Sequence, residues 1–208
     1  PGSNLDDITF KRIYFWIKNK PQKSEEQKSQ ELFNFIKKYP HNRYADDAFI
    51  LLLKILKDNS RFRDAKFSPE FNRSVLHYLY QEYEPRFRNR IAIEEFTLDE
   101  DPVVTEVNYY IQAGLLHEYI LANLAIIFSQ KGDKALASKL VGEIYDTFME
   151  QGFNFKPSED LRYNLIMEIE RLHPYVSSFH DSYTRGTREL KNKNYSKALS
   201  LLENAVKK

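Results

Sequence analysis

The chain has no cysteine. That absence excludes thiolate nucleophiles, disulfides and zinc–thiolate sites, and it fits an oxidising or a reducing compartment equally. Net charge is almost lacking too: 31 Lys plus Arg stand against 30 Asp plus Glu. The field of the whole molecule gives a phosphate backbone no reason to bind, so nucleic acid is not an expected partner. No apolar run reaches the roughly 20 residues that cross a bilayer, and the opening PGSNLDD lacks the charged-then-apolar layout of a secretory signal. Pro1–Ser3 reads as a cloning scar, which leaves membrane anchoring through a removed N-terminal segment as an expectation. Glycine is scarce, at six residues. Neither a glycine-rich phosphate loop nor a Gly-x-Ser-x-Gly elbow is present.

What remains is a chain of 208 residues, 42% hydrophobic and 29% charged. It is long and apolar enough to bury a core, and it is expected to form one domain over residues 4–208. The prolines at 21, 40, 69, 85, 102, 157 and 174 fall between apolar periodic stretches, where each marks a border because proline cannot continue a helical ladder. No period-two alternation bounded by hairpin turns is found, so the expected fold class is all-α.

Helix starts are written plainly. Ser24 opens SEEQ, a capping box with acids in the first turn; Ser68-Pro69 and Asp101-Pro102 are N-cap plus first-position proline pairs. Leu32, Phe35, Ile36 and Tyr39 share one face before Pro40. Ala45, Ala48, Leu52 and Leu56 open the face of the next helix, small side chains that permit close approach. A proline-free interval runs from Pro102 to Phe155, broken at KGDKA, where Gly132 ends one helix and Asp133 caps the next. The span 102–130 would be about 43 Å long as one helix, so Gly114 is expected to bend it. Tyr119–Phe128 is apolar nearly all round and is expected to be the most buried helix. Further helices are expected near 158–172, 175–191 and 195–207.

Three hairpins, 24–57, 118–151 and 179–208, resemble the tetratricopeptide repeat, a helix-turn-helix unit of 34 residues. In the last, Gly186 matches the small residue of the first helix, and Tyr195, Ala198, Leu202 and Ala205 match the second. In the middle one the matching positions are Leu121, Leu124, Ala125, Phe128, Gly132, Ala137, Val141 and Ile144. The joint FIKKYPHNRYADDAF resembles that of bacterial envelope lipoproteins of this family. The stretch 61–101 departs from the repeat and is expected to hold irregular helices. The resemblance implies a right-handed superhelix with a groove lined by outward positions of each first helix. Carried over, these are Tyr119, Asn123, Ile126 and Gln130, and in the last repeat His180, Tyr183, Thr187 and Lys191. Tyrosine among amide and charged side chains suits a recognition surface, and packing against a neighbouring helix is the competing role for each tyrosine.

Chemistry is hard to find in this sequence. His41, His77, His117, His173 and His180 form no metal-binding spacing. Asp46-Asp47, Glu94-Glu95 and Asp99, Glu100, Asp101 read as solvated faces and helix caps, since each group lies near an arginine or at a helix start. No catalytic residue, metal, cofactor or small-molecule substrate is expected. Arg86, Arg88 and Arg90 with Phe87 could stack on RNA, which makes a helical-repeat RNA binder the alternative, but the acidic run that follows favours a basic knob paired with acids. The expectation is a non-enzymatic scaffold that binds a protein partner as a hetero-complex. The lipoprotein resemblance implies the bacterial periplasm or cell envelope, with the cytoplasm as the alternative.

Overall fold

The computed structural model describes residues 4–19, 24–61, 69–88, 98, 100–150, 161–172, 182, 186 and 189–206. Every regular element among them is helical, and the fold is all-α: α1 (Asn4–Asn19), α2 (Glu25–Lys38), α3 (Ala45–Arg61), α4 (Pro69–Tyr78), α5 (Glu84–Arg88), α6 (Pro102–Gln112), α7 (Leu116–Gln130), α8 (Lys134–Glu150), α9 (Leu161–Leu172) and α10 (Tyr195–Val206). Two compact units are present, residues 1–137 and 138–208, the division falling one turn into α8.

In the first unit the helix starts form as their residues dictate. Ser24 accepts a hydrogen bond from the Gln27 amide at 3.2 Å, and Asp101 accepts one from the Val103 amide at 2.9 Å. Asp133 caps α8 through the Leu136 amide at 3.0 Å. α2 and α3 form an antiparallel hairpin on the expected faces, with Leu32, Phe35 and Ile36 buried against a face containing the buried Ala45, Ala48, Leu52 and Leu56. α3 also packs on α6 and α7, and α5 packs on α7. Covered from these three sides, α7 has no exposed stripe: residues Glu118 through Phe128 are all buried.

Two expectations change here. Gly114 does more than bend a long helix. It adopts φ +69°, the Leu115 amide donates to the Tyr110 carbonyl at 2.7 Å, and the Gly114 amide donates to that of Ile111 at 2.9 Å. These two bonds close a Schellman motif, so α6 stops and α7 begins anew. Gly132, at φ +92°, ends α7 with the same pair of bonds, from the Asp133 and Gly132 amides. Pro85, conversely, is no border. Residues 69–88 run as one helical path, and just before the proline Leu79–Tyr83 widens into a π-helical turn closed by the Glu84 amide on the Leu79 carbonyl. The wider turn gives the pyrrolidine ring room that a regular turn would deny it.

In the second unit Leu140, Val141, Ile144, Tyr145, Phe148, Leu165, Ile166, Ile169 and Ala198 are buried. Helical residues 189–191 reach α10 through a third Schellman pair, in which the Asn194 amide bonds the Glu189 carbonyl at 2.8 Å and the Lys193 amide bonds that of Leu190 at 3.0 Å. The left-handed position is here Lys193, at φ +61°. Lysine is strained there and glycine is not, so Lys193→Gly is expected to stabilise this unit by about 1 kcal/mol, read as slower amide exchange in α10. The opposite effect is expected at Gly186, which lies against α10. A Cβ on it would stand 2.8 Å from Leu202 Cγ and 3.3 Å from Leu201 Cβ. Gly186→Ala is therefore expected to cost about 1–2 kcal/mol, overpacking outweighing the better helix propensity of alanine. Exchange in α10 unchanged by this substitution would show that the close approach carries no weight.

Candidate protein-binding surface

α1 is apolar on two sides, and only one of them has a home in the core. Asp6 and Asp7 in its first turn and Lys18 in its last suit the helix dipole. On the inner side Phe10 is fully buried, its ring 4.7 Å from that of Tyr44 and 5.2 Å from that of Phe35. Polar ties then fix the helix. Asp7 receives Asn42 at 3.0 Å and Arg43 at 2.6 Å, and these hold its carboxyl below the usual carboxylate range.

The second tie lies further along the helix. Asp101, the N-cap of α6, accepts the Tyr14 hydroxyl at 2.7 Å and pairs with Lys18 at 2.5 Å. Its side chain has no exposure. Burial pushes its pKa up, but the bonds from Lys18, Tyr14 and the Val103 amide outweigh this and leave it lowered. Tyr14 moves the other way: burial, then the bond to Asp101, push its pKa well up.

The other side of α1 looks outward. Leu5 and Phe15 are each 67% exposed and Ile8 is 53% exposed. Beside them runs a groove of about 700 Å³, lined by Ile8, Thr9, Arg12, Ile13, Phe15 and Trp16 together with Lys11, and walled on the far side by Glu31 of α2. The Thr9 hydroxyl donates to the Leu5 carbonyl at 2.9 Å, so it makes no polar demand on whatever enters. A helix with one buried face needs apolar residues on that face alone, so Phe10 and Tyr14 on one side with Ile8 and Phe15 on the other were the signal in the sequence for this surface.

The residues carried over from the repeat resemblance are placed differently. Tyr119, Asn123 and Ile126 are 3%, 2% and 0% exposed and belong to the core of the first unit, where the packing of α3, α5 and α6 on α7 fills the space expected to be a groove. Asn123 donates to the Tyr119 carbonyl at 2.7 Å, and the Tyr119 ring lies tilted against that of Tyr110, 4.6 Å away. Gln130 is half-buried at the end of α7, and Lys191 is exposed. His180, Tyr183 and Thr187 lie outside the described residues. Among the described residues of the second unit the large exposed apolar side chains are Leu190, Tyr195 and Leu199, together with Met167 on α9.

The described members of the acidic and basic clusters are ties within the first unit. Asp46 and Asp47 stand in the first turn of α3, a helix start as expected, but they are not a solvated face: Asp47 is fully buried and accepts the Leu98 amide at 2.8 Å, and the half-buried Asp46 accepts the Tyr83 hydroxyl at 2.6 Å. Glu94, Glu95 and Asp99 lie outside the described residues. Glu84 is buried and bonded to His117 across α5 and α7, and Arg88 approaches the same carboxylate at 3.4 Å. His117 thus has a partner that its own helix did not reveal. Arg90 and the side chain of Arg86 lie outside the described residues. Among the described residues no group of three or more His, Asp or Glu side chains is placed to hold a metal ion, and no helix is long and apolar enough to cross a membrane.

Comparison with protein-family models, curated proteins and solved structures finds no match for the chain.

Proposed function

We propose that the chain is a non-enzymatic helical scaffold that binds another protein, forming a hetero-complex in the bacterial cell envelope. The exposed apolar side of α1 carries this reading. Three large side chains, Leu5, Ile8 and Phe15, stand largely in solvent beside a groove, and covering what remains exposed of each would contribute about 1–2 kcal/mol. The buried carboxylates at Asp47, Glu84 and Asp101 are engaged in holding the helices together, which speaks for a scaffold. The envelope setting rests on the resemblance of the Phe35–Phe49 joint to envelope lipoproteins. The stacked superhelix implied by that resemblance is part of the same proposal.

A photo-reactive residue at position 15, compared with one at Lys139, tests the reading in the source cells. We expect position 15 to cross-link a defined protein, position 139 not to, and Ile8→Asp to abolish the product. Identical products from the two positions would overturn it. Recovery of the native protein with the periplasmic or membrane fraction tests the compartment, and recovery with the cytosol would move the scaffold there.

A further inference from the structure

The α1 groove has a definite chemistry. Ile8, Arg12 and Phe15 form one row at i, i+4, i+7, and Thr9, Ile13 and Trp16 form a second row beside it at the same spacing. Each row extends for about 10.5 Å, the length over which a helix presents anchors at i, i+3 or i+4, and i+7. Side chains make the walls, and they offer an extended peptide few partners for its backbone N–H and C=O groups. A helix satisfies those groups internally and can enter.

Charge then selects the edge of that helix. On the α1 wall stand Lys11 and Arg12, both exposed, and Arg12 makes no ion pair among the described residues. The nearby Lys18 is committed to Asp101, and Asp7 is committed to Arg43 and Asn42. The far wall carries Glu31. Resting on the scaffold reading above, we propose that this groove takes an amphipathic helix of another protein whose apolar stripe is bordered by carboxylates on the side that meets Lys11 and Arg12. A membrane surface is the weaker fit. The site is concave, with Trp16 half-buried in its wall, and Glu31 together with the first-turn acid Asp6 would repel anionic headgroups.

Trp16 is the single tryptophan of the chain and lines the groove, so its emission reports occupancy. The probes are two synthetic amphipathic helices free of tryptophan and tyrosine, with the same leucine stripe bordered by glutamate in one and lysine in the other. Titrated into the full chain, the glutamate peptide is expected to shift Trp16 emission to shorter wavelength and to bind at least about tenfold more tightly than the lysine peptide. Arg12→Glu should reverse the order, and Ile8→Asp should remove both responses while leaving the circular dichroism unchanged. Equal affinities, or no response, would overturn the proposal. A shift produced by phosphatidylglycerol vesicles and by neither peptide would reassign the groove to a membrane. A dimer of the chain dissolved by Ile8→Asp would reassign it to a second copy. If position 15 still cross-links a defined protein while the peptides show no charge preference, the scaffold reading stands and this one falls.

Discussion

Replacing Phe10 with alanine is expected to destabilise the first unit by about 3–5 kcal/mol, the range for deleting a fully buried aromatic ring. Among the described side chains of α1, Phe10 is the one with no exposure, and its ring lies within 6.2 Å of three others, those of Tyr14, Phe35 and Tyr44. Tyr44 precedes α3 and Phe35 belongs to α2, so one ring ties three consecutive elements together. The vacated space cannot be refilled cheaply, because Phe35 and Tyr44 are themselves buried, one within α2 and the other in the turn that leads into α3. Denaturant unfolding followed by Trp16 emission measures the loss directly, since Trp16 lies less than two turns further along the same helix. Phe15→Ala is the control: that ring is mostly in solvent, and its removal is expected to change stability by less than about 0.5 kcal/mol. A loss at Phe10 of under about 1 kcal/mol would mean that α1 is held by its polar ties alone, and the groove it forms would then be a loose one.

Local signals in the sequence were good guides, and their reach explains where they failed. The caps at Ser24, Asp101 and Asp133 and the close face at Ala45 and Ala48 depend on residues within a turn of one another, and all appear as written. Gly114 depends on an energetic choice that spacing does not show, between bending one helix and closing two. Pro85 is tolerated because a π-helical turn absorbs it. The ties that organise the first unit span far longer separations: Tyr14 to Asp101 is 87 residues, Asp46 to Tyr83 is 37, and His117 to Glu84 is 33. No periodicity connects such pairs. Nor could it show that the outward row Tyr119, Asn123, Ile126 would be covered, because that was decided by the packing of α3, α5 and α6. A nearly all-round apolar helix carried the warning, since such a helix has no outward row to offer.

Asp101 is the polar counterpart of Phe10, and its removal is expected to make the first unit both weaker and less sensitive to acid. The carboxylate does two jobs: it caps α6 through the Val103 amide, and it receives the Tyr14 hydroxyl and the Lys18 ammonium from α1. Asparagine caps nearly as well as aspartate, so Asp101→Asn isolates the second job. Hydrogen bonds to a charged group are worth about 1.5–3 kcal/mol; Lys18 is 41% exposed and can turn to water, so the cost at neutral pH is expected near 2 kcal/mol. The pH dependence has a definite sign. Because the folded pKa lies below the unfolded one, the ionised form favours folding, and this contribution is fully present above about pH 4. It is lost as the pH falls through the lowered folded value. The difference between the natural chain and Asp101→Asn should therefore be constant from neutral pH down to about pH 5 and shrink below pH 4. Asp101→Ala, which also removes the cap, should cost about 1 kcal/mol more at every pH. A difference that stays constant through the acid range would mean that Asp101 acts through shape and capping alone, and α1 would then owe its seat to Phe10 and to the Asp7 contacts.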